Sequence, residues 1–239
     1  MNAHQFLIMG IPALIALAGG ILAAFWTPSQ ATRSLIQHFA AGVVLAALAV
    51  ELLPEISREH APGPVLAASF ALGSLFMYAL KLWTIRMEHA ASLSGAVKGL
   101  STGLLLATFI DVATDGFIIG AGFAAGGETG TILALGLSVE LLFLGLALSS
   151  NATTGGRIIA LSGALGLTVL CFAVLGNWLL AGASHAVIGG TLAFSAAALL
   201  YLVTEELLME AHEVEENPIS TLVLFGGFLT FWSIQLAGQ

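Results

Sequence analysis

Charge is what this sequence has least of. Of 239 residues only 8% are charged, while 58% are hydrophobic and the mean hydropathy is +1.01. A water-soluble domain carries about a quarter charged residues, so the composition excludes that class and implies an integral membrane protein. Basic residues are scarcer still: six lysines and arginines stand against fourteen acids, a formal net charge of −8. That leaves too little positive surface to neutralise phosphates, and nucleic acid is excluded as a partner. The single cysteine, Cys171, lies in an apolar run; it admits no intrachain disulfide and argues against a cysteine-based metal site. The first residues, Met1 to Gln5, lack a basic segment, and the apolar run after them is too long for a signal-peptide core. They are expected to begin a retained first helix. No polar link is long enough to hold a separate soluble domain, which needs at least about fifty residues.

What is present is a series of apolar runs of spanning length, about 17 to 25 residues each. Eight are expected, over about 6–26, 35–56, 64–85, 99–125, 129–150, 158–180, 187–210 and 219–237. The fold class is therefore all-α, a single transmembrane domain over 1–239. Pro62-Gly63-Pro64 breaks the chain before the third run, 86–96 reads as a short polar link, and Gly126-Gly127-Glu128 turns the chain into the fifth. Arg33, Arg86, Lys98 and Arg157 fall in or near the links after helices 1, 3 and 5, and Lys81 just before the exit of helix 3. Arg58 alone marks the opposite side. By the positive-inside rule those links face the cytoplasm and both termini face out. Trp26, Trp83 and Trp178 fall near helix ends, as interface anchors do. Glycines in several helices permit a homodimer without requiring one.

An internal echo adds topology. Helix 2 ends in Glu51-Leu-Leu-Pro-Glu55, and helix 7 carries Glu206-Leu-Leu-Met-Glu210. The two helices cross in opposite senses, which fits a pair of three-helix units related by inversion; such repeats place transport sites near the midplane.

The acids inside the runs carry the chemistry. Asp111 and Asp115, four residues apart, share one face of helix 4, and Glu140 sits near the middle of helix 5. An acid at the bilayer centre costs on the order of 3 kcal/mol, so these side chains must meet water, a partner or an ion. No lysine or arginine lies close to them in the chain. Carboxylates without basic partners suit a divalent cation, and an oxygen-only set favours Mg²⁺, Ca²⁺ or Mn²⁺ over Zn²⁺. The hydroxyls of Thr108 and Thr114 stand where they would complete the coordination. Gly116, Gly120, Gly122, Gly136 and Gly145 are expected to let helices 4 and 5 approach closely. The bland alternative is a protonated, hydrogen-bonded packing role. Glu51, Glu55, Glu205 and Glu210 lie towards helix ends, where a solvated mouth is the competing account. His38, His89 and His185 are expected to be solvated; His60 and His212 flank acidic patches, the second in a stretch of six glutamates over 205–216.

These residues resemble a known family. Asp111-Val112-Ala113-Thr114-Asp115-Gly116 is similar to the His-Asn-x-Pro-Glu-Gly of helix 4 in ZIP (Zrt/Irt-like) metal transporters, and Glu140 to Gly145 is similar to the His-Glu-x-Pro-Glu-Gly of helix 5. His38 to Val43 with Glu51 to Glu55 resembles that family's helix 2, and Leu200 to His212 its helix 7. The resemblance implies a 3+2+3 helix arrangement, outward termini and a metal site between helices 4 and 5. Asp111 and Glu140 stand where the family has histidine, and Val112, Leu141 and Leu144 where it has further ligands. One site is therefore expected, made of Asp111, Asp115 and Glu140 with Glu206 outlying.

The resulting expectation is a plasma-membrane carrier for uptake of a divalent metal such as zinc, manganese or iron, with the metal as substrate and no prosthetic group. Glu51 and Glu55 would collect it outside, with Glu205, Glu206, Glu210 and His212 receiving it inside. The alternative is a non-transporting metal sensor or metal-binding membrane protein. An intramembrane enzyme is disfavoured, since neither Gly-x-Gly-Asp nor His-Glu-x-x-His occurs.

Overall fold

A computed structural model of the chain describes residues 3–26, 28–93, 102–147, 154–209 and 218–238. Eight helices are long and apolar enough to cross a membrane, and no strand occurs among the described residues. They are α1 (Ala3–Phe25), α2 (Gln30–Arg58), α3 (Gly63–Leu93), α4 (Thr102–Ala125), α5 (Gly127–Ala147), α6 (Gly155–Leu180), α7 (His185–Leu207) and α8 (Pro218–Gly238). The eight expected spans are all present, with shifted ends. α2 starts at Gln30 because Ser29 caps it, accepting from the Thr32 amide at 3.2 Å. α7 starts at His185 behind the Ser184 cap. The expected polar link over 86–96 is helical through Leu93, so α3 is 31 residues, roughly 46 Å, and outruns a hydrocarbon core of about 30 Å. A hydropathy window ends a helix where polarity begins, but the backbone goes on hydrogen-bonding into the interface.

The packing has an internal two-fold pattern. α1 lies against α5 and α6, and α4 against α6 and α5, forming one four-helix block. Outside it the helices pair as α2 with α8 and α3 with α7, and α2 meets α7. Exchanging helices 1–3 for 6–8, and 4 for 5, maps each of these pairs onto another or onto itself. Details obey the same exchange. Gly227 of α8 sits on the backbone carbonyl of Phe39 in α2, and Gly73 of α3 on that of Phe194 in α7. Both α2 and α7 open into a five-residue π-helical turn, Leu48–Leu52 and Val203–Leu207, and each places a glutamate fourth, Glu51 and Glu206. π-turns are rare and gather at functional positions. In α2 one consequence is visible: Pro54 cannot donate to the carbonyl of Val50, which accepts from Gln235 Nε2 of α8 at 3.2 Å.

α3 and α8 are the most exposed helices and α2, α5 and α7 the most buried. The glycines hold the seams. Among those named from sequence, only Gly122 brings α4 and α5 together, against Gly130 and Leu133. Gly116 and Gly120 abut α6, Gly145 abuts α1, and Gly136 faces Ala47 and Phe231. The expectation of one α4–α5 glycine seam is thus corrected: Gly116 and Gly120, four residues apart, share the face against α6, and helical rotation sends Gly122, two residues further on, to α5. A direct check lies in α8. Gly227→Ala forces a methyl onto Phe39 backbone, whereas Gly226 has nothing within 4 Å of its side-chain position. Thermal unfolding in detergent should show Gly227→Ala destabilised by roughly 1–3 kcal/mol and Gly226→Ala neutral or slightly stabilised.

Candidate metal centre

Asp111 and Asp115 project from the middle of α4 and Glu140 from the middle of α5. The two helices form a hairpin closed at Gly126, so residues at similar distances from the turn share one depth. One carboxylate oxygen from each of the three lies within 4.8 Å of the others. Oxygens bound to a single cation at 2.0–2.6 Å are at most about 5 Å apart, so the three are close enough together to share one ion. Asp115 and Glu140 are buried and Asp111 half-buried. Asp115 Oδ2 and Glu140 Oε2 are buried without a hydrogen-bond partner. An unsatisfied buried carboxylate oxygen is costly, and a bound cation is one way to satisfy it.

A cavity adjoins the cluster. About 290 Å³ in volume, it lies between Lys81 and Thr84 of α3, Thr108 and Asp111 of α4, and Glu205 and Glu206 of α7. It runs towards the end of α3 and the start of α4, the side that carries Arg86. Glu206 thus shares the cavity of Asp111, while Glu205 is ion-paired with Lys81. Lys81 was not legible as a site residue: it is thirty positions from Asp111 in sequence and served only as an orientation marker. Its place inside a span was the available signal.

The opposite end is knotted by polar contacts. Glu51 is buried and accepts from Thr129 Oγ1 of α5 at 2.8 Å and from Gln235 Nε2 at 3.2 Å. Glu55 pairs with Arg58 at 3.1 Å, and buried Glu59 pairs with His185 of α7 at 2.7 Å. Neither Glu51 nor Glu55 joins the cluster. Thr114 also turns away: its hydroxyl donates to the Ile110 carbonyl at 3.0 Å, and it lines a separate apolar cavity with Phe76, Phe117 and Phe194. Thr108 does face the cavity of Asp111. Glu210 and His212 lie outside the described residues.

Of the histidines expected to be solvated, His38 departs from that expectation, while His185 meets it and gains a partner. His38 is buried, its Nδ1 2.8 Å from the Ser34 carbonyl, because α2 begins five residues earlier than its apolar run and carries His38 inside the fold. His185, although exposed, is held by Glu59. Where the ZIP pattern has further ligands, Val112 and Leu141 are fully buried among apolar side chains and Leu144 lines the cavity. The donors among the described residues therefore make one oxygen-only site, and the arrangement is that of a multi-pass membrane protein whose buried carboxylates fit a metal ion. No protein-family model matches the chain, and no curated protein matches it.

Proposed function

We propose that this protein carries a divalent metal cation across the membrane, with Asp111, Asp115 and Glu140 as the transient binding site and the Glu205–Glu206 cavity as its route on the cytoplasmic side. The observation that carries this is the cluster itself: three carboxylates from within two apolar helices, within one ion's reach and with two orphaned oxygens. The likeness of the α4 and α5 motifs to those of ZIP transporters supports the same assignment, as does the two-fold helix pattern, since inverted repeats frame sites at this depth in secondary transporters. Metal binding relieves the cost of three ionised groups in a dry interior. The all-oxygen donor set favours hard cations, so Mn²⁺ is preferred over Zn²⁺. Proteoliposomes offered Mn²⁺, Fe²⁺, Co²⁺, Ni²⁺, Zn²⁺, Cd²⁺ and Mg²⁺ should accumulate Mn²⁺ ahead of Zn²⁺; a strong preference for zinc would refute the argument from ligand hardness.

One observation favours a second reading, a metal-binding sensor without flux. A cavity lined by Lys81, Asp111, Glu205 and Glu206 adjoins the site, while towards the other end Glu51 is tied to Thr129 and Gln235 rather than facing the cluster. Saturable metal binding in vesicles that show no uptake would select it.

A further inference from the structure

We propose that Lys81 is the built-in counter-ion of the substrate cavity: its ammonium competes with the divalent cation for the carboxylates and so sets how tightly that cation is held. This rests on the metal-site assignment above and adds an affinity-setting residue to it.

Lys81 lies on α3, within a membrane span, where an ionised lysine needs a partner. The fold supplies one across the helix boundary: its Nζ is ion-paired with Glu205 of α7 and lies 5.8 Å from the centre of the Tyr201 ring. The same cavity wall holds Glu206 and Asp111, and Asp111 belongs to the three-carboxylate cluster. A dication entering this space meets acids from α4, α5 and α7 and, among the described residues, the one ammonium of Lys81. Acids alone would make a well from which a divalent ion leaves slowly. One fixed positive charge in a poorly screened space weakens that hold. Glu205 in turn draws the ammonium to the α7 side of the cavity. Removing Glu205 leaves Lys81 facing the remaining acids, where it opposes the metal more strongly.

That arrangement gives the two partners opposite effects, which a merely structural ion pair does not. The full chain in lipid nanodiscs is titrated with Mn²⁺, free ion being read from its paramagnetic resonance signal, and separately with Zn²⁺ by competition. Lys81→Gln is expected to tighten binding by roughly 10-fold or more and Glu205→Gln to weaken it by a similar factor. Lys81→Arg should keep the wild-type affinity, and the Lys81→Gln/Glu205→Gln double variant should return towards it. The pair is partly exposed, 32% and 41%, so its loss costs little stability and all four variants should fold. Shifts of the two single variants in the same direction, or no shift in either, would overturn the counter-ion role while leaving the metal site standing. Wild-type protein that binds neither ion would overturn the metal site and this inference together.

Discussion

Vesicles carrying Asp111→Asn or Glu140→Gln protein should take up Mn²⁺ no faster than protein-free vesicles at equal protein loading. Both substitutions keep side-chain volume and remove one anionic oxygen donor, so packing around α4 and α5 is preserved while the site loses a ligand. Changes in the partners that merely orient metal ligands already cost 10–100-fold in affinity; loss of a direct carboxylate should cost at least about 100-fold. The loss of Mn²⁺ affinity, measured by binding, should be larger for Glu140, which is buried and has an orphaned oxygen, than for half-buried Asp111. Thr114→Val is the contrasting variant. Its hydroxyl donates to the Ile110 carbonyl and its side chain faces an apolar cavity, so uptake should stay within about twofold of wild type, as for substitutions away from special features. Undiminished uptake in both carboxylate variants would remove the cluster from the transport route.

Gly116→Val should damage the site from behind, without touching a ligand. A Cβ at position 116 meets the Val169 carbonyl and lies 2.9 Å from the Phe172 Cβ, and the first of these is backbone that cannot rotate away. α4 must therefore withdraw from α6 and carry neighbouring Asp115 with it. Overpacking of this kind costs roughly 1–3 kcal/mol, and ligands need placement to within about 0.5 Å. We expect a lower unfolding temperature and at least a 10-fold loss of Mn²⁺ affinity, measured on the same preparation. Gly163→Ala in α6 is the control, since its added methyl makes only an ordinary 3.7 Å contact with Leu17. Mn²⁺ binding by Gly116→Val equal to wild type would show that the α4–α6 seam does not position Asp115. Gly145 holds the equivalent place in α5, against Ala16 and Gly20 of α1. The two motif glycines thus act alike, each pressing a ligand-bearing helix onto its neighbour in the four-helix block.

The cavity reaches Asp111 from the side of Lys81, and towards the other end Glu51 is hydrogen-bonded to Thr129 and Gln235. Thr129 belongs to the four-helix block and Glu51 to the helices outside it, so their hydrogen bond bridges the two parts.

Sequence alone determined the parts of this protein that depend on one dimension. Eight apolar runs fix eight spans because a bilayer sets the length of an uninterrupted helix. The four-residue spacing of Asp111 and Asp115 puts them on one face, and the mid-run position of Glu140 puts it at their depth. The Glu-Leu-Leu-x-Glu echo exposed a repeat whose matched π-turns appear only in three dimensions. Tertiary structure decided which faces meet. It brought Lys81 into the cavity of Asp111, tied Glu51 to Thr129 and Gln235, turned Thr114 outward and assigned each glycine its seam. Hydropathy reports how apolar a helix is but not how it is rotated against its neighbours. That rotation comes from close packing among many helices at once, and it separates three acids that converge from two that do not.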